Sequence, residues 1–128
     1  MQLLRLGRSA CFFFLSLGLM PAFAQEIPEG FIRTTDSVLT QKPDTYNRRD
    51  GYLRPYRRDS VLMAYFIEKS QKAEYYDGLS YSYNQLGNFH RNISNYQRAI
   101  EYHKKGLNAA EKAGNIEFRI FSLNMLGV

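Results

Sequence analysis

Tyr83-Asn84-Gln85-Leu86-Gly87, echoed by Asn124-Met125-Leu126-Gly127, is the pattern from which the fold is read. The two glycines stand 40 positions apart, at 87 and 127. Between them, Tyr96, Ala99, Ile100, His103, Leu107 and Ala110 step by 3, 1, 3, 4 and 3, which puts them on one face of a helix. Lys104, Lys105 and Lys112 take the outside of that helix. Leu79, Tyr83, Leu86 and His90 form the buried line of the helix before it, expected over Gly78 to Phe89. Arg91-Asn92-Ile93 is the turn, and Ser94 with Gln97 has the spacing of a capping box. Gly114-Asn115 closes the second helix, with the glycine suited to a left-handed cap. A glycine inside a helix costs about 1 kcal/mol relative to alanine. Gly87 is therefore expected where another helix crosses, with Ala99 as its counterpart. A helix–turn–helix unit that begins again after one period predicts an all-α chain of antiparallel repeats, a short α-solenoid.

The residue types resemble the tetratricopeptide repeat, which reads W-x2-L-G-x2-Y, then A-x3-F, then P. This chain has Tyr83-x2-Leu86-Gly87-x2-His90 and Ala99-x3-His103. Tyrosine replaces the tryptophan, histidine fills two aromatic slots, Gly106 holds a small-residue position, and Glu111 falls where the proline would stand. The 40-residue period is similar to the extended variant of that family, as in kinesin light chains and many bacterial regulators. The resemblance runs from Gly78 to Val128. It implies a right-handed solenoid packed through Tyr83, Leu86, Gly87, Ala99, His103, Leu126 and Gly127. It also implies a concave groove that takes a protein or peptide.

Groove candidates follow from phase. Tyr81, Asn84, Asn88 and Arg91 step by three and four on the side away from Leu79, Tyr83 and Leu86. Phe121, Asn124 and Val128 repeat that stripe one unit later. Asn84 and Asn124 would then be stacked neighbours, able to hold a peptide backbone through both donor and acceptor. The lysines of the family's chaperone-tail clamp are missing.

The rest of the chain divides around this unit. Residues 1–24 read as a secretory signal peptide: Arg5 and Arg8 in front, an apolar run from Ala10 to Met20, then Ala22-Phe23-Ala24 for cleavage before Gln25. Cys11, the one cysteine, lies inside it. Export to the periplasmic or extracellular side is the expectation, with the membrane met only through that segment or through one beyond Val128. Residues 25–59 read as an irregular linker punctuated by Pro28, Pro43 and Pro55, with one short helix at Thr34–Gln41. Residues 60–128 form the repeats: a capping or degenerate helix at 60–77, the clear unit at 78–114, and the first helix of the next at 115–128. Asp59 or Ser60 caps the helix at 60, whose expected buried face is Leu62, Tyr65, Phe66, Lys69, Ala73 and Tyr76, and Asp77-Gly78 breaks it. The apolar face of Ile116–Leu126 needs cover, from sequence beyond Val128 or by self-association.

Chemistry finds little support. Net charge is +5, of which Arg5 and Arg8 supply two, too mild a balance to argue nucleic acid. Arg48, Arg49, Arg54, Arg57 and Arg58 alternate with tyrosines, and are expected to pair with Asp44, Asp50 and Asp59 in a solvated segment instead of binding nucleic acid. His90 and His103 occupy aromatic slots, and two histidines without a carboxylate or thiolate make a weak metal site. Glu101 and Glu111 would lie about 15 Å apart along one helix, too far for paired carboxylates. No catalytic residue, cofactor or metal is expected. The leading reading is an exported scaffold binding a protein or peptide. The alternative is the extracytoplasmic input region of a bacterial sensor kinase or membrane-tethered transcription regulator, with its output domain beyond Val128.

Overall fold

A computed structural model describes residues 25–128; the signal-peptide reading of 1–24 lies outside the described residues. Six helices and no strand occur among them: α1 (Glu29–Gln41), α2 (Tyr46–Leu53), α3 (Ser60–Lys72), α4 (Tyr76–Asn92), α5 (Tyr96–Ala113) and α6 (Ile116–Leu126). The chain is all-α. Each of α3 to α6 packs on its neighbour in sequence, and α4 also touches α6. Turns of two or three residues leave these successive helices no course but to double back on each other. Among the described residues no helix is long and apolar enough to cross a membrane.

The segment 25–59 is not an irregular linker. It holds α1 and α2, and both are anchored. Phe31, Thr35 and Val38 are the buried line of α1, and the Phe31 ring lies 4.8 Å from that of Tyr56 and 6.0 Å from that of Tyr65. α2 buries Arg49, Asp50 and Leu53. Two of those three are charged, so no apolar period announces the helix, and Gly51 lowers its propensity further.

α3 begins where Asp59 accepts the amide hydrogens of Val61 and Leu62 at 2.9 and 3.1 Å. Its buried side chains are Leu62, Met63, Phe66, Ile67 and Ser70. Tyr65 and Lys69 are only half-buried, because α3 sits between α1 and α4 and needs two faces instead of one. The break after α3 falls at Ala73–Tyr75, with Glu74 at a φ of 51°, and not at Asp77-Gly78. Gly78 lies inside α4 under the Tyr75 ring, where a Cβ would come within 2.4 Å of that ring.

The α4–α5 turn also differs from expectation. Ser94 takes a φ of 61°, and the cap is Asn95, whose side chain accepts from the Arg98 amide at 3.3 Å. No Ser94–Gln97 capping box forms. Gly114 does take the left-handed cap, at a φ of 65°. The buried side of α5 is Ala99, His103, Gly106, Ala109 and Ala110. Tyr96 and Ile100 are 62% and 47% exposed, so they leave the buried face that their phase predicts. The small residues win it because α4 lies close: bulky side chains would hold the two helices apart. Ile116 and Ile120 of α6 are exposed as well.

Candidate functional site

Where α4 and α5 meet, two glycines make room for two polar side chains. A Cβ on Gly87 would sit 2.5 Å from the His103 ring, and one on Gly106 would sit 2.7 Å from Asn84 Nδ2. His103, and not Ala99, is thus what crosses Gly87. Asn84 donates through Nδ2 to the Ser80 carbonyl at 2.9 Å and to Ser122 Oγ at 2.8 Å. A carbonyl cannot donate, so the amide orientation is fixed by that first bond, and Oδ1 must accept from His103 Nδ1 at 2.8 Å. His103 is therefore the neutral tautomer protonated at Nδ1. Ser80 Oγ closes the set on the Gly106 carbonyl at 2.8 Å. Asn84 ties α4 to α5 and α6 at once.

Asn84 and Tyr81 are both wholly buried, so neither lines a groove, and the expected Asn84–Asn124 ladder does not form. Asn124 is exposed on α6, while Asn84 reaches Ser122 instead. Gly127 also departs from its echo: Gly87 lies within α4, whereas Gly127 caps α6 at a φ of 76°. Of the other packing candidates, Leu86 is buried, and Tyr83 and Leu126 are half-buried.

His103 is 2% exposed, and its Nε2 has no partner among the described residues. Burial, aided by the charge of Arg91, pushes its pKa down to about 4 from 6.5. The unfolded chain takes up this proton near pH 6.5 and the folded chain only near pH 4. The stability is complete above pH 6.5 and declines as the pH falls to about 4, by about 3 kcal/mol in total. Urea unfolding near pH 7 and near pH 5 should differ by about 2 kcal/mol through this group. The substitution His103→Gln keeps a donor for Asn84 and should remove that component; an unchanged pH dependence would locate it elsewhere.

α2 explains what covers Tyr81. Its Tyr46 ring lies 5.5 Å from Tyr81, 5.8 Å from Phe118 and 5.5 Å from Phe121. Asp50 accepts from the Tyr81 hydroxyl at 2.9 Å, from Arg57 at 2.7 Å and from Arg54 at 2.9 Å. Burial raises the Asp50 pKa, but these bonds from Arg54, Tyr81 and Arg57 outweigh it and hold the carboxyl below its usual value. Burial and the Asp50 carboxylate together push the Tyr81 phenol far upward, so it remains a donor. The expected pairing of arginines is met at Asp50 by Arg54 and Arg57. Arg49 instead turns inward, with its guanidinium 4.2 Å from the Phe118 ring centre and 5.5 Å from that of Tyr75.

An open groove of about 410 Å³ remains beside this plug. Arg57 and Arg58, in the turn after α2, form one wall with Tyr46. Gln85, Asn88, Phe89 and Arg91 of α4 form the floor, and Asn92 extends it. Phe121 and Met125 of α6 form the far wall, and Arg91 Nη1 lies 3.9 Å from Met125 Sδ. Asn88, Arg91 and Phe121 therefore line one groove. Asn124 lines a neighbouring apolar hollow with Phe121 and Ile120. Arg57 and Arg58 were not legible as groove residues, since nothing local to them indicates that α2 folds over α4.

Among the described residues, no group of three or more His, Cys, Asp or Glu is placed to hold a metal ion. His90 stacks on Tyr102 at 5.2 Å, while His103 faces Asn84. The groove offers cations, carboxamides and aromatic faces, a set suited to binding. No protein-family model, curated protein or solved structure matches this chain.

Proposed function

We propose that the chain is an exported tetratricopeptide-type scaffold module, a right-handed helical-repeat array that binds a protein or peptide in its groove and does no chemistry of its own. The observation that carries the reading is the groove between the α2–α3 turn, α4 and α6. Its carboxamides Gln85, Asn88 and Asn92 match the alternating donors and acceptors of a peptide backbone. Phe89, Phe121 and Met125 supply apolar contact for side chains. The export part rests on the pattern of residues 1–24.

Selection of binders from a displayed random-peptide library tests the binding. Selected peptides should bind the chain and lose about tenfold in affinity in Asn88→Ala and in Phe121→Ala. They should keep it in Lys104→Ala, a change on the exposed side of α5. If no binders emerge, or if their binding ignores the groove substitutions, the groove is not a peptide site.

A further inference from the structure

The groove's charges do not balance. Among the described residues three arginines line it, and no aspartate or glutamate does. Arg57 is committed to Asp50 at 2.7 Å. Arg58 and Arg91 are both exposed, and among the described residues neither has a carboxylate partner. Two guanidinium groups facing one concavity raise the local concentration of anions there. Each presents a planar fork of donors that matches a carboxylate in two parallel hydrogen bonds. Asn88 lines the same groove, and among the described residues its Oδ1 finds no donor. A buried oxygen without a partner marks a bond that a ligand can supply.

We propose that this groove selects an acidic peptide segment, with its carboxylates received by Arg58 and Arg91 and a backbone N–H by Asn88. The inference rests on the peptide-binding reading above. The surroundings favour a peptide over a nucleic acid. Nucleic-acid affinity is built from a long run of phosphate contacts, and this groove has two uncommitted cations. Phe121 and Met125 are placed for the apolar side chains that acidic segments carry between their carboxylates.

Fluorescence anisotropy of the purified chain with three labelled probes tests this: a short peptide alternating glutamate with leucine, its glutamine counterpart, and an oligothymidylate. The glutamate peptide should bind at least about tenfold more tightly than the glutamine peptide, and its affinity should fall as salt rises. Arg58→Ala and Arg91→Ala should each remove about tenfold. Arg48→Ala deletes the same charge at an exposed site outside the groove and should change nothing. Equal binding of both peptides, weakened by Asn88→Ala, would overturn the acidic preference and leave the peptide groove standing. Binding of neither peptide would overturn both. Tighter binding of the oligothymidylate, lost in the same arginine variants, would reassign the groove to nucleic acid. An equal loss in Arg48→Ala would reduce the effect to net charge and overturn the site.

Discussion

Asn84→Ala should lower the unfolding free energy by about 3 kcal/mol, measured by urea titration followed by circular dichroism. The substitution removes the acceptor of His103 Nδ1 and the donor to Ser122 Oγ, both buried. A buried donor left without its partner costs about 1–3 kcal/mol, and the vacated space above Gly106 adds to that loss. A second substitution makes the argument specific. Gly106→Ala alone should also destabilise, because its Cβ would lie 2.7 Å from Asn84 Nδ2. Once Asn84 is alanine that obstruction is gone, and the helix gains about 1 kcal/mol from losing a glycine. The double variant should therefore be no less stable than Asn84→Ala by itself. Losses that simply added would mean that Asn84 and Gly106 do not share this space.

Arg49→Ala should cost about 4 kcal/mol, and Arg49→Met much less, about 1 kcal/mol. Arg49 is wholly buried. Its guanidinium donates to the Tyr75 hydroxyl at 2.8 Å and to the Pro43 carbonyl, and packs on Phe118. Among the described residues Nη1 has no partner, and no carboxylate pairs with the side chain. A cation so placed bears a desolvation cost that its packing must offset. Alanine leaves a void between α2, Tyr75 and Phe118. Methionine refills most of it with a flexible thioether that suits aromatic faces, and Tyr75 still donates to Pro43. Equal damage from both substitutions would place the stability in the guanidinium's hydrogen bonds instead of in its volume.

The long helices were legible because helical periodicity is a local property. The apolar spacing in 60–126 identified α3, α4, α5 and α6, and Asp59 and Gly114 marked a start and a stop that the structure keeps. α1 was half legible, since its Phe31, Thr35, Val38 line includes a polar residue. α2 was not legible at all: its inward face is Arg49 and Asp50, which read as solvent-facing until their partners are known. For the groove, Asn88, Arg91 and Phe121 could be placed by phase along their helices, while Arg57 and Arg58 could not.

What the sequence determined by itself is therefore the helical class, the pairing of α4 with α5, and Gly87 as a point of close approach, though with Ala99 and not His103 across from it. Only the tertiary structure decided which polar residues are core and which are surface. Tyr81 and Asn84 have the phase of an exposed stripe, yet Tyr81 is buried beneath Asp50, 31 positions earlier, and Asn84 beneath Ser122, 38 positions later. Helical phase says which residues share a face. What covers that face is set by side chains far away in the chain, and a polar group is buried only where such a neighbour brings it a hydrogen bond.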